Sequence, residues 1–232
     1  MINKIKNVIS GLRLKRAFTV LAKRLTELPQ KFSTQEVMNF LFSKQGSLIT
    51  PWQFESEISG LLQLYESRNI KFALEIGTAN GGTLFAHCKL AHENATIISI
   101  DLPGGKFGGG YPDWKTPLYK KFAKKNQNLH LIRASSHDQT TVDAARKILN
   151  GNQLDYLFID GDHTYEGVKK DFFLYSPFVK KGGLVVFHDI VPHESSACKV
   201  DLFWNEIKKQ YQHKEFIDKP DQNKFGVGIL FY

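Results

Sequence analysis

The stretch FIDGDHTYEGVKKDF, residues 158–172, runs from an apolar segment straight into two carboxylates and an imidazole. Leu157, Phe158 and Ile159 have the texture of a buried strand, yet Asp160, Asp162 and His163 are groups that accept hydrogen bonds, hold cations and move protons. An imidazole titrates near neutrality, where proton acceptance is most effective. Two further apolar segments end in polar groups. LEIGTANGGT, residues 74–83, carries Glu75 and then Gly77, Thr78, Ala79 and Gly81 before a helical run through Leu84, Phe85 and Leu90. Glycines there permit a tight turn and let backbone N–H groups approach a ligand closely. TIISID ends in Asp101, an acid at a strand tip that can accept hydrogen bonds from both hydroxyls of a ribose.

The GxGxxG pattern of dinucleotide-binding loops is not met, because Ala79 stands at the second glycine and the third is displaced. A P-loop is excluded, since no GK[ST] follows. What remains is a nucleoside-containing ligand held by a different glycine loop, and S-adenosylmethionine fits that requirement.

Charged groups at strand ends need a rigid mount. Short apolar runs at 73–76, 96–100, 129–133, 156–159, 184–187 and 227–232 alternate with helical segments, which predicts parallel βαβ units with both sheet faces covered. Ligands of such sheets bind beyond the carboxyl ends of the strands. Upstream, residues 1–30 read as a basic amphipathic helix through Ile5, Val8, Ile9, Leu12, Phe18, Leu21 and Leu25, stopped near Pro29. A second helical region holds Phe40, Leu41 and Phe42. Pro51 is then placed in the first turn of a third helix, whose apolar face continues through Phe54, Ile58, Leu61 and Leu62 to about Ser67. The expected division is a helical extension over residues 1–65 and one α/β domain over 66–232. Phe203, Trp204 and Ile207 read as core packing of a late helix.

Apolar residues make up 42% of the 232, enough for a core without disulfides or a structural metal. The two cysteines, Cys88 and Cys198, form no CxxC or Cys/His cluster suited to zinc, so a reduced, cytoplasmic setting is expected. Lysines and arginines interrupt every early apolar run, against a signal peptide, and no run approaches the roughly 20 apolar residues of a membrane span. The net charge of +8 raises nucleic acid as a partner. Much of the excess, however, sits in the N-terminal arm and in Lys120, Lys121, Lys124 and Lys125, whose spacing around Phe122 predicts the solvated face of a helix. Nucleic acid is therefore not the expected partner.

LEIGTANGGT and Asp101 together resemble the first glycine motif and the ribose acid of class I S-adenosylmethionine-dependent methyltransferases. The resemblance implies a Rossmann-like α/β fold, with a mostly parallel sheet of about seven strands flanked by helices. It also implies a donor site of Glu75, Gly77, Thr78, Ala79, Gly81 and Asp101, with Ser136 and His137 at the adenine edge and Asp160 beside them. YLFIDGDHTYEGVKKDF and the following LYSPFVKKGGLVVFHDI are similar to small-molecule O-methyltransferases that include macrocin O-methyltransferases and, more distantly, catechol O-methyltransferase. In that group the fourth strand ends in a metal-binding Asp and the fifth in a pair of ligands, implying Asp160, His188 and Asp189 here. Carboxylates suit Mg²⁺, whereas His188, at a position usually acidic, suits Mn²⁺, Fe²⁺ or Zn²⁺ better. A histidine three residues after the metal Asp is the general base of the macrocin-type enzymes, implying that role for His163.

The expected reaction is methyl transfer to a hydroxyl of a small-molecule acceptor, a saccharide or other natural product. The glycine-crowded segment 102–110 is expected to act as a lid, with Tyr111 and Trp114 stacking on the acceptor. Asp162 either caps the next helix or touches substrate. The N-terminal helices are available for a homo-oligomer interface or to cover the site. Two other readings stand beside this one: an RNA or protein methyltransferase that uses the basic arm, and a non-catalytic nucleoside-binding scaffold.

Overall fold

Strands that are apolar on both faces are stable only where helices cover both sides of the sheet, and the chain supplies them in alternation. The computed structural model describes the backbone of residues 2–107, 109–193 and 197–232, with side chains from residue 11 onward. Three helices come first, α1 (Ile2–Leu25), α2 (Thr34–Leu41) and α3 (Glu55–Ser67). Then follow β1 (Phe72–Ile76), α4 (Gly82–Leu90), β2 (Thr96–Ile100), α5 (Thr116–Tyr119), β3 (Asn128–Ile132), α6 (Gln139–Leu149), β4 (Leu154–Ile159) and α7 (Tyr165–Tyr175). The chain continues through β5 (Val179–His188), α8 (Val200–Ile207), β6 (Gln212–Phe216) and β7 (Val227–Phe231).

The seven strands form one sheet in the order β3-β2-β1-β4-β5-β7-β6. β1 to β5 run parallel, and β7 lies antiparallel to both β5 and β6. This is the Rossmann-like architecture expected from the sequence. Strand order reverses between β1 and β4, where open α/β sheets form a crevice.

Period-two alternation sorts the strand side chains into two cores. Ala73, Ile97, Tyr156, Phe158, Val186 and Ile229 pack with α1 to α5. Leu74, Ile98, Leu157, Val185, Phe187 and Leu230 pack with α6 to α8, joined by Phe203, Trp204 and Ile207 as anticipated. No helix among the described residues is long and apolar enough to cross a membrane.

Several elements differ from expectation. α1 ends at Leu25, with Phe18, Leu21 and Leu25 buried but Leu12 exposed; Ile5, Val8 and Ile9 lie outside the described side chains. α3 begins at Glu55, and Pro51 belongs to the preceding turn, close against Gly82. β6 has no apolar run to betray it: QHKEF is an edge strand, exposed or half-buried throughout. Around Phe122 there is one turn of helix and a 3-10 turn; Lys120 and Lys121 are exposed, but Lys124 is half-buried and donates from Nζ to the Ala91 carbonyl at 2.7 Å.

Helix α3 is tied to the connection between β6 and β7 by a buried carboxylate. Glu57 accepts hydrogen bonds from Asp218 N (3.3 Å), Gln222 Nε2 (2.7 Å) and Gly226 N (3.2 Å). Removing the acceptor leaves donors unpaired, each costing about 1–3 kcal/mol when buried. Glu57→Ala is therefore expected to destabilise by roughly 2–4 kcal/mol, a fall in melting temperature of about 5–15 °C in a thermal melt.

Candidate functional site

The loops that follow β1, β2, β3 and β4 enclose a cavity of about 550 Å³, within the range that holds a cofactor-sized molecule. Its first wall is the turn after β1. Gly77 donates from its N–H to Ile100 O at 2.8 Å and has φ +93°, and a Cβ there would overlap the Asp160 carbonyl oxygen. The loops after β1 and β4 thus touch through a residue with no side chain. Ala79 holds φ +44°, a left-handed conformation that costs an L-residue about 1–2 kcal/mol, and Tyr119 Oη donates to its carbonyl at 2.8 Å. Gly81 at φ +84° begins α4 with the Tyr119 ring against it.

Not every expected donor-site residue reaches the cavity. Glu75 is only 1% exposed, facing the α4 side of the sheet, where it bonds His87 Nδ1 (3.1 Å) and Ser99 Oγ (3.3 Å). It is absent from the cavity wall, because strand alternation turns it into the core with Ala73. The Thr78 hydroxyl is likewise turned inward, paired with Ser99 Oγ. Asp101 does line the cavity; its Oδ2 accepts from Tyr111 N at 2.9 Å. Burial raises the Asp101 pKa, and the backbone N–H groups of Tyr111 and Thr78 pull it back.

Ser136 and His137 form the wall beyond β3. Ser136 Oγ donates to Asp171 Oδ1 at 2.6 Å, and His137 Nε2 lies 3.2 Å from the same oxygen. Asp171, wholly buried on α7, raises the His137 pKa. Sequence reading did not single it out, although an acid on the apolar face of Val168, Phe172 and Tyr175 is a visible signal.

Beside the cavity, four titratable groups converge. His163 Nε2 is 3.3 Å from Asp160 Oδ1, and its Nδ1 is 3.0 Å from Asp189 Oδ2. His188 Nδ1 is 3.1 Å from Asp160 Oδ1 and 3.5 Å from Asp189 Oδ1. The potential ligand atoms of Asp160, His188 and Asp189 lie within 4.8 Å of one another, as do those of His163, Asp189 and Cys198. Cys198 therefore joins a Cys/His/Asp group that linear spacing does not reveal. Asp189 holds φ +61°, a strained conformation for a residue other than glycine, and its Oδ1 is buried without a hydrogen bond.

Burial alone would lower both histidine pKa values, but the carboxylates overcome it. Hydrogen bonds with Asp160, Asp189 and Cys198 push His163 up to about 12, and the charges of Asp160 and Asp189 push His188 up to about 9. Burial would raise the two carboxyls, yet the imidazoles hold both Asp160 and Asp189 below the usual carboxylate range. Each carboxylate of the group thus has an imidazole nitrogen within ion-pair distance.

Asp162 accepts from Thr164 N (2.9 Å) and Oγ1 (2.8 Å), fixing the turn in which Thr164 caps α7 by accepting from Gly167 N (3.0 Å). Of the lid segment, Leu102, Gly104, Gly105, Lys106 and Phe107 line the cavity. Tyr111 and Trp114 do not; they pack edge-on against Tyr119 and Phe18. Phe107 is the ring at the site, stacked on His163 with centroids 4.9 Å apart and planes 18° from parallel.

Residues 74–190, from within β1 to the residue after Asp189, match the protein family described as a methyltransferase domain. The chain belongs to this family. The chain is 32% identical over 132 residues to an uncharacterized protein of Acanthamoeba polyphaga mimivirus, covering 57% of each chain, so it spans little more than half of that relative. Its fold is shared with a TDP-rhamnose 3'-O-methyltransferase of calicheamicin biosynthesis (TM-score 0.56, 16% identity, 94% and 93% of the two chains). It is shared too with an O-methyltransferase from Bacillus cereus in complex with SAH (TM-score 0.53, 12% identity, 94% and 100%).

Two loop substitutions should move in opposite directions. Gly77→Ala is expected to lower the melting temperature by at least about 5 °C and to abolish S-adenosylhomocysteine binding, because the β1 and β4 loops must part. Ala79→Gly relieves the left-handed alanine and should raise the melting temperature by about 2–4 °C. Thermal melts with and without ligand read both.

Proposed function

We propose that this methyltransferase uses S-adenosylmethionine to methylate a hydroxyl of a small molecule, a saccharide or another natural product. The observation that carries the reading is the cavity that brings Asp101 and the turn at Gly77 to the edge of the Asp160, His163, His188 and Asp189 group. The first pair suits a nucleoside donor, and the second group suits deprotonation of an acceptor. The fold shared with O-methyltransferases, one of them acting on a sugar nucleotide and one holding SAH, supports both halves. Both cysteines are free and buried, in keeping with a reducing cytoplasm.

In this reading Asp101 accepts hydrogen bonds from the ribose hydroxyls, and the Ser136–His137 wall borders the adenine. Gly77 and Ala79 let backbone approach the amino-acid end of the donor. The acceptor oxygen attacks the sulfonium methyl in line; the C–S bond breaks to give S-adenosylhomocysteine, and His163 takes the hydroxyl proton. Holding donor and acceptor in that line supplies several kcal/mol of the barrier reduction.

His163 can take a proton only as a neutral imidazole, whereas two carboxylates hold it protonated up to about 12. That is the argument for a divalent cation. Two carboxylates and an imidazole nitrogen converge, Asp189 Oδ1 accepts no hydrogen bond, and one divalent ion would carry the same charge as two imidazolium protons. Asp160, His188 and Asp189 would hold it, as Mg²⁺ or Mn²⁺, with the nitrogen ligand favouring the latter. Such an ion, when bound, lowers the pKa of the acceptor hydroxyl and directs it.

Calorimetry and turnover separate these roles. Asp101→Ala should weaken S-adenosylhomocysteine binding about tenfold to a hundredfold by removing a charge-assisted pair of hydrogen bonds. His163→Ala should leave that affinity within about threefold while reducing methyl transfer to a panel of sugar and phenol acceptors by at least about a hundredfold. A chelator should stop turnover, with Mn²⁺ restoring it. Normal turnover in the His163 variant would remove the base assignment.

A further inference from the structure

At the end of the sheet opposite the donor cavity, the segments leading into β1, β2 and β3 enclose a second cavity of about 590 Å³, together with the last turns of α3 and α4. Its wall is cationic. Lys31, Lys89, Lys124 and Lys125 line it against two carboxylates, Glu66 and Glu93. Glu66 is already engaged, its Oε2 accepting from Thr34 N (3.1 Å) and Oγ1 (2.7 Å).

Lys89 is the informative residue. It is only 1% exposed, and among the described residues its ammonium makes no hydrogen bond and no ion pair. It lies over the rings of Phe32 and Phe85, 5.8 and 5.6 Å from their centroids. Cation–π contacts compensate an ammonium only in part for the water it loses, and buried charges are ordinarily paired. Desolvation lowers the pKa of Lys89 and of Lys124; the charge of Lys124 lowers Lys89 further and that of Lys31 lowers Lys124, and an anion among the three would offset this repulsion. Lys124 spends one N–H on the Ala91 carbonyl and keeps two donors. The lysine run that reads as a solvated face in sequence is, in part, the lining of a recess.

We propose that this cavity binds a small soluble phosphate or phosphomonoester, with Lys89 at its floor and Lys124 and Lys31 donating from the sides. Charge-assisted donors on flexible stems suit a tetrahedral oxyanion, which offers several acceptor oxygens at once. The recess keeps Lys89 out of reach of a flat membrane or a nucleic-acid duplex, which favours a small ligand. Strands of five residues, about 15 Å of sheet, separate it from the methyl-transfer site, so it is a distinct site and not an extension of the donor pocket.

The test is calorimetric titration with inorganic phosphate, pyrophosphate and glucose 6-phosphate at an ionic strength held constant with chloride. The wild-type chain should bind at least one of them saturably. Lys89→Met, which keeps the stem and removes the charge, should lose about tenfold or more in affinity, and Lys124→Gln should lose a smaller factor. S-adenosylhomocysteine binding serves as the control for folding and should be unchanged in both variants; its absence from the wild type would count against the methyltransferase reading while leaving the phosphate result to stand by itself. No saturable binding at millimolar phosphate, or equal binding by wild type and Lys89→Met, would overturn the proposal. Should Lys89→Met fail to fold, equal binding by Lys124→Gln and wild type would do the same. Flotation with phosphatidylcholine vesicles, with and without phosphatidic acid, tests the other phosphate source; binding to the acidic vesicles alone would overturn a soluble ligand.

Discussion

Everything at the carboxyl end of the sheet depends on how closely the turn after β1 approaches the turn after β4. The Gly77 Cα rests where any Cβ would collide with the Asp160 carbonyl, and Asp160 N donates back to Ile76 O at 2.8 Å. β1 and β4 are central neighbours although two strand–helix units separate them in sequence. Because the contact is backbone to backbone, it positions Asp160 without relying on a flexible side chain. His163 inherits that position through the short turn from Asp160, and a hydrogen bond from Lys199 N to its carbonyl (2.7 Å) pins the start of α8 to the same place. The Asp160 and His163 pair is therefore referenced to the two central strands of the sheet.

The group is also an electrostatic compromise. In a poorly solvated site two carboxylates repel, and the fold tolerates them only with compensating positive charge. Two imidazoles supply it, and the carboxylates that raise their pKa favour the protonated rings over the neutral form that a proton acceptor needs. Asp189 adds backbone strain to the arrangement, the kind of local cost that persists where surrounding structure holds it. The Glu75, His87 and Tyr156 chain behind the glycine loop is a different use of buried polarity. Its members bond one another, with His87 Nε2 3.1 Å from Tyr156 Oη, and it faces the helices rather than the cavity.

Six of the seven strands are legible in the sequence because each has an apolar run bounded by turn residues. The sheet's parallel character follows from their spacing. β6 escapes because an edge strand in water needs no apolar side chains, and Gln212, His213, Lys214 and Glu215 conform to that rule. The convergence of Asp160, His163, His188 and Asp189 is legible only through a resemblance to known enzymes, since no local pattern joins residues from two strand ends. What escapes altogether is contact between distant segments. Phe107 over His163, Cys198 beside Asp189 and the Asp171 anchor for Ser136 each depend on a loop path that periodicity does not encode. Tyr111 and Trp114 show the converse error, aromatics in a polar loop that the core, and not a ligand, consumes.

The position of β7 has a consequence for the order in which the protein can be assembled. β7 follows β6 along the chain but lies between β5 and β6, pairing Val227 to Phe231 with both. During synthesis, β5 emerges with one side already matched to β4 and the other side bare, a row of amides on an apolar strand that β6 cannot cover. The sheet stays divided until β7 slides in as the last piece, and its antiparallel direction lets it enter straight from the turn that follows β6. The nascent chain is thus most vulnerable to pairing with a stranger during the interval between β5 and β7.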